Sequence, residues 1–402
     1  MTATLYRRAA IADGTSDPLQ LDVSVLVEGG RIAWIRPADD EGPLPGDGPP
    51  LVVDAHGSTI VPGLVDGHAH LTLPGGAGWI ARIDDPVEDL VAAAEHNARL
   101  LGRAGVRWIR DVGSPRVASP WTGAPRALAL ELRDRWRGRP EAPYIRAAGT
   151  WLMRAGTLET PRTVSVEDGD ALAAAATVQL DDGADLLKLY LDGPEPGVAP
   201  WSIAEVERVV VLAHARGARV TAHSGNLAGA RVGVAAGIDA LEHGFELDAD
   251  VAAEMARRST FLVSTLAIFR SWGSFGRTTR LPRFAEPAGR ARIAARRERA
   301  EESVRLARAA GVRIATGTDF GGGSTRANQL AWEVEALVGA GLEPWEALRA
   351  ATVRGGELLG EPDAGRLREG GPADLVLVHG DPLSDPAALW RVWRVAWLDD
   401  PA

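Results

Sequence analysis

The 402-residue sequence contains no cysteine, which excludes disulfides, thiolate zinc sites and a cysteine nucleophile. It also lacks any run near the roughly 18 apolar residues that a membrane span needs. The opening MTATLYRRAAIADG has no apolar stretch behind its arginines, so it does not read as a secretory signal, and the expected location is cytoplasmic. Positive charge is in deficit, with 44 Lys and Arg against 54 Asp and Glu and a formal net charge of −10. That balance argues against non-specific nucleic-acid binding. What is present is ordinary for a globular enzyme: 46% apolar and 24% charged residues, in a length suited to one large domain or one large and one small.

Lysine is the scarcest charged residue. Lys188 is the only one, and the remaining basic residues are all arginine. A solvated point charge is easily supplied by either residue, so a lysine that stands alone points to a need for a primary amine. Arginine does not deprotonate in proteins and cannot attack a carbonyl or CO₂. The plainer alternative is a snug buried ion pair.

From residue 60 onward, strand-length apolar runs alternate with Ala- and Arg-rich helical stretches. The strands are expected at Ile60–His70, Val106–Val112, Pro143–Gly149, Asp185–Asp192, Ala218–Ser224, Ile238–Gly244, Thr260–Ile268 and Val312–Phe320. Helices are expected at Val87–Ala104, Ala171–Asp182, Ser202–Arg216 and Ala291–Ala310. This alternation predicts an α/β protein with a (β/α)₈ TIM-type barrel over residues 60–362. An open doubly wound sheet is disfavoured because no Gly-rich phosphate loop follows the first strand. Residues 1–59 and 363–402 hold short β-type stretches, too few at either end to bury a core alone. They are expected to combine into one small β-sandwich domain.

Strand periodicity converts single residues into a constellation. In GLVDGHAHL the period of two places Asp66, His68 and His70 on one face. In DLLKLYLD, Leu187, Leu189 and Leu191 face the helices, while Lys188 and Tyr190 point into the barrel. His223, His243 and Asp319 end the fifth, sixth and eighth strands, at the face where barrel enzymes build their sites. One strand-end histidine is more often a hydrogen-bonded core residue. Four of the eight histidines together with the only lysine argue for a metal centre, because neutral imidazole and carboxylate suit zinc and similar divalent ions. An ammonium would repel such ions, whereas a carbamate made from the amine and CO₂ is anionic and can bridge two of them. His56, His96, His214 and His379 read as structural or surface residues.

The segments VPGLVDGHAHL, DLLKLY, VTAHSG, LEHGFELDAD, ATGTDF and the tail ATVRGGELLG…AGRLREGGPADLVLVHGDPL resemble the amidohydrolase superfamily. The nearest likeness is to its imidazolonepropionase-like branch, which contains Xaa-Pro dipeptidases and N-acyl amino-acid hydrolases. The resemblance implies two divalent metal ions, usually Zn, and a CO₂-derived carbamate on Lys188. It implies that His68, His70 and Asp319 hold the more buried ion, His223 and His243 the other, and that Lys188 bridges both. It further implies a hydroxide shared by the two ions as nucleophile, with Asp319 as the proton-transfer group.

The expected reaction is hydrolysis of a C–N amide bond in a small N-acyl amino acid or dipeptide. Hydrolysis is favoured over deamination because His223 is followed by Ser224-Gly225-Asn226, and Asn cannot replace the acid-base Glu of the deaminase HxxE pattern. The segment RSWGSFGRTTRLPRF carries Arg270, Arg277, Arg280 and Arg283, any of which could pair with a carboxylate. Arg270, Arg277 and Tyr190 are therefore candidate substrate contacts, and a solvated basic loop is the competing reading. The loop GGGSTRAN after Asp319 lacks the His-Gly pair of close relatives. A cyclic amide, lactone or phosphoester remains an alternative substrate, and a non-catalytic scaffold the alternative class. The partner is expected to be a small molecule, with no nucleic acid and no membrane, and a homo-oligomer is compatible with the sequence.

Overall fold

The computed structural model describes residues 3–398 apart from 43, 45–48, 83, 159, 161–162 and 277–278. Eight parallel strands carry the chemistry: β1 (Leu64–Ala69), β2 (Val106–Asp111), β3 (Tyr144–Ala147), β4 (Leu186–Tyr190), β5 (Arg219–Ser224), β6 (Ala240–His243), β7 (Phe261–Ser264) and β8 (Ile314–Thr316). β1, β2 and β3 pair in one sheet, and β4 through β8 pair in sequence order in another. Isolated parallel bridges, Ala148↔Leu186 and Ala69↔Phe320, link these two runs. A further strand, Trp151–Arg154, lies beside β4 and pairs with Thr163–Val166.

Alternation along the strands sorts side chains into two layers. Leu187, Leu189, Val220, Ala222, Leu241, Leu262 and Ile314 join the main apolar cluster shared with the helices. The alternate set, Ala240, Val263 and Ala315, clusters instead with Val65, Leu358 and Leu359. Each fully buried Leu contributes about 1.5–3 kcal/mol over its exposed state. The helices start where their sequences supply acceptors for free N–H groups. Asp168 caps Gly169–Asp181, Asp248 caps Ala249–Arg258, and Ser202 with Glu205 forms a capping box on Ile203–His214.

Both chain ends contribute to one seven-stranded sheet: Thr4–Ile11, Gln20–Glu28, Arg31–Pro37, Leu51–Asp54, Ser58–Pro62, Leu375–His379 and Val392–Val395. Its own core contains Tyr6, Val25, Ile32, Ile60, Leu375 and Leu377. The run expected as one strand, Ile60–His70, divides at Gly63. Its first part pairs antiparallel with Leu375–His379, and only the second part is β1. A Cβ on Gly63 would stand 2.8 Å from the Arg107 Cβ, so the crossing between the two sheets requires glycine there. Likewise the expected strand Thr260–Ile268 ends at Ser264, and Ala267–Ser274 is helical. A short apolar run does not reveal its period.

Glu333, on the helix Leu330–Gly339, fixes this turn from below. Its carboxyl is fully buried and accepts from Ser264 Oγ at 2.5 Å and Ala267 N at 2.6 Å. Burial pushes its pKa up to about 7, against the pull of those hydrogen bonds. Between the ordinary glutamate value and pH 7, the folded protein therefore holds a proton that the unfolded chain has released. Stability falls as pH rises through that window and is flat above it, by an amount on the order of a few kcal/mol. Glu333→Gln mimics the protonated acid, so the decline in urea midpoint from pH 5 to pH 8 should be smaller in the variant. Parallel declines in the two proteins would contradict this.

Candidate metal centre

The side chains at the ends of β1, β4, β5, β6 and β8 converge. His68 and His70 lie 5.3 Å apart between ring centroids, His68 and His243 4.7 Å, and His223 and His243 4.6 Å. Ligand atoms of His68, His243 and Asp319 all fall within 4.8 Å of one another, close enough to hold one cation.

Proton inventory decides what this cluster can accept. The His68 Nδ1–H donates to Glu242 Oε2 at 2.6 Å, and the His70 Nδ1–H donates to the Gly113 carbonyl at 2.8 Å. In the neutral ring each Nε2 then carries a lone pair. Both Nε2 atoms stand 3.4 Å from the same oxygen, Asp319 Oδ1. Two lone pairs and a carboxylate oxygen aimed at one point repel unless a proton or cation lies between them. Burial, with His223 and His68 nearby, keeps His243 well below the usual imidazole range, so it stays neutral and able to ligate. This donor set fits a divalent metal ion.

Lys188 adds a second sign. It is 2% exposed, and its Nζ has no hydrogen-bond partner. Burial pulls its pKa down to about 8, against the opposing charge of Glu242. A buried amine without a hydrogen-bond partner and with its pKa lowered is suited to act as a nucleophile.

Two of these residues occupy left-handed backbone, His243 at φ 67° and Asp319 at φ 52°. Non-glycine residues there cost about 1–3 kcal/mol and gather at functional sites. At His243 the turn has a visible result. Consecutive residues of a strand face opposite sides, yet both Glu242 and His243 touch His68. The positive φ turns His243 to the side that Glu242 already faces.

Glu242 was not foreseen from the sequence. It is fully buried and accepts from His68, from Thr221 Oγ1 and from Arg110, which also donates to the Gly67 carbonyl. Although burial raises its pKa, Arg110, Lys188 and His68 together hold it below the usual carboxylate range. Such a partner orients a metal-ligating imidazole. The charged residue preceding His243 in LEHG was the only available signal.

Several expectations need correction. The pairing of β1 with β2 shifts register between Asp66 and Ala69, and Asp66 does not join the histidines. It accepts from Thr318 Oγ1 at 2.6 Å and Thr318 N at 3.0 Å, fixing the end of β8. His68, His243 and Asp319 form the most compact triad, with His70 also reaching Asp319 and His223 beside His243. His223 lies beside His243, but its Nε2 faces Asp192 Oδ2 at 3.1 Å. Tyr190 pairs with His223 in register and stacks on it at 3.9 Å between centroids. Asn226 caps Leu227–Ala235 and donates to Asp192, in keeping with the absence of a deaminase-type acid there. Arg270 is not brought to the cluster: it pairs with Glu335 at 2.6 Å and lies over Trp332. Arg277 lies outside the described residues. His56, His96, His214 and His379 are all exposed. A cavity of about 600 Å³ lies elsewhere, lined in part by Tyr6, Arg107, Asp374 and Trp397. Arg107 is already paired with Asp374 there, so this cavity offers no comparable chemistry.

Residues 59–396, from the end sheet through β8 and beyond, match the amidohydrolase family. The chain belongs to that family. An uncharacterized protein of Mycobacterium tuberculosis is 32% identical to this amidohydrolase over 342 residues, covering 83% of this chain and 82% of its own. Imidazolonepropionase of Anaeromyxobacter dehalogenans is 29% identical over a 421-residue alignment, covering 94% and 90%. Among solved structures, a Xaa-Pro dipeptidase with bound methionine superposes with a TM-score of 0.80 at 25% identity, over 97% of each chain. No helix among the described residues is long and apolar enough to cross a membrane.

Proposed function

We propose that this amidohydrolase cleaves the amide C–N bond of a small N-acyl amino acid or dipeptide, using two divalent ions, zinc in the first instance, and a carbamate on Lys188. The observation that carries the reading is the convergence of the His68 and His70 Nε2 atoms on Asp319 Oδ1, beside an unpartnered buried amine. His68, His70, His223, His243 and Asp319 would supply the ligands, with carbamylated Lys188 bridging. The carbamate forms when the neutral Nζ attacks CO₂ and releases one proton.

When bound, the ions would supply an activated water at neutral pH and polarise the scissile carbonyl. The chain's own residues do the rest. Glu242, held by Arg110, keeps the His68 Nδ1 protonated and its Nε2 directed inward. Asp319 accepts a proton from the attacking water and passes it to the leaving nitrogen. Tyr190, stacked on His223, presents its hydroxyl to the substrate. We assign this chemistry to residues 60–362 as a closed (β/α)₈ barrel, which the two isolated parallel bridges support. Residues 1–59 and 363–402 form the small β domain, as their shared sheet suggests.

The test is amine release from a panel of Xaa-Pro dipeptides and N-acyl amino acids, with protein reconstituted in zinc and bicarbonate. Release that needs a free substrate carboxylate is expected. Silence from metal-loaded protein would overturn this substrate class and turn attention to cyclic amides, lactones and phosphoesters.

A further inference from the structure

Beyond the histidines, a ladder of rings leads away from the metal centre. His243 contacts Phe245 at 5.2 Å between centroids, Phe245 contacts Phe269 at 5.0 Å, and Phe269 contacts Trp272 at 5.5 Å. Two arginines stand over this wall. Arg296, on the helix Pro287–Ala309, lies 4.9 Å from the Phe245 ring, and Arg283 lies 5.1 Å from Trp272. Both are half-buried. Neither has a hydrogen bond or carboxylate partner among the described residues, although most arginines of this chain are paired.

Arg283 and Arg296 are close enough to repel, and burial together with that repulsion lowers the Arg283 pKa. The carboxylate beside Arg296 is already engaged. Asp192 accepts from Gly225 N at 2.8 Å, Asn226 Nδ2 at 2.7 Å and Ser224 Oγ at 3.1 Å, and faces His223 as well. Space has been kept for the guanidinium: a Cβ on Gly225 would stand 2.6 Å from Arg296 Nη2. Arg296 is also near enough to Tyr190 to act on it electrostatically. An aromatic face and a guanidinium fork suit a ligand with one apolar group and one carboxylate.

We propose that Arg283 and Arg296 form the carboxylate subsite of this enzyme, with the half-buried ring of Trp272, backed by Phe269 and Phe245, facing an aromatic or large apolar group of the same substrate. The inference rests on the amidohydrolase reading above but names a binding step that is measurable without turnover. It moves the anion contact from Arg270, which pairs with Glu335, to two arginines without an ion-pair partner among the described residues.

The experiment is calorimetric titration of zinc- and bicarbonate-loaded protein with N-acetyl-L-phenylalanine and, separately, its carboxamide. The wild-type protein should bind the acid and bind the carboxamide at least about tenfold more weakly. Arg296→Gln and Arg283→Gln should each weaken acid binding by about 10–100-fold, the range for a lost charge-assisted contact, and leave carboxamide binding unchanged. Thermal melts of the variants check that the fold is kept. Equal affinity for acid and carboxamide, no binding of the acid by metal-loaded wild-type protein, or variants that bind the acid as wild type does, would each overturn the subsite. Binding that follows the expected pattern without hydrolysis would instead uphold the subsite and count against the proposed reaction.

Discussion

Replacing Lys188 with methionine is expected to abolish activity while leaving the protein at least as stable as the wild type. The Nζ lies buried with no hydrogen-bond partner, so an apolar side chain of similar length removes an uncompensated polar group from the interior. On the proposed carbamate reading the bridging anion would be lost at the same time, and with it metal-dependent stabilisation of several kcal/mol, on the order of 10³-fold in kcat/KM. Lys188→Arg should be equally inactive, because its guanidinium cannot form the carbamate. Thermal melting, elemental analysis and kinetics on the three proteins check this together. Activity retained in either variant would sink the carbamate, and a strongly destabilised methionine variant would mean that the amine serves the fold.

The second large effect is expected at Asp319. Asparagine tolerates the left-handed backbone that this residue adopts, so Asp319→Asn alters the charge and proton capacity with little backbone penalty. Although burial raises the Asp319 pKa, the neighbouring His68, His70 and His243 hold it well below the usual range. A neutral amide forfeits both that anion and its role in proton transfer, a loss of about 10²–10⁴-fold in kcat. KM should change little, because the residue acts on the reacting atoms and not on the substrate's remote groups. A loss confined to KM would assign Asp319 to substrate binding.

The sequence carried the barrel-strand layer well where the alternation was clean. Leu187, Leu189 and Leu191 all lie in the main apolar cluster, and Lys188 between them is buried apart from it, as period-two reading requires. The same reading misled at β1 and at the end of β6. A register shift released Asp66 to Thr318, and the positive φ of His243 reversed the side on which that residue faces. Neither deviation leaves a trace in composition or spacing. Glu242 escaped notice because a carboxylate next to a strand-end histidine looks like a solvated neighbour until three elements are packed around it. Arg270 stands apart for the opposite reason: its segment is legible as basic, but the carboxylate it pairs with, Glu335, sits on another helix. Arg296 was invisible among the many arginines of its helix, and only the third dimension separates it from its paired neighbours.

The central claim is a two-ion centre bridged by a modified lysine. Native mass spectrometry of the zinc- and bicarbonate-loaded chain tests it most directly, with Lys188→Met measured alongside. The account predicts two zinc ions and one CO₂ adduct on the wild-type chain, and loss of the adduct with reduced zinc in the variant. A chain that binds no zinc, or that carries two zinc ions without an adduct in both proteins, would contradict it.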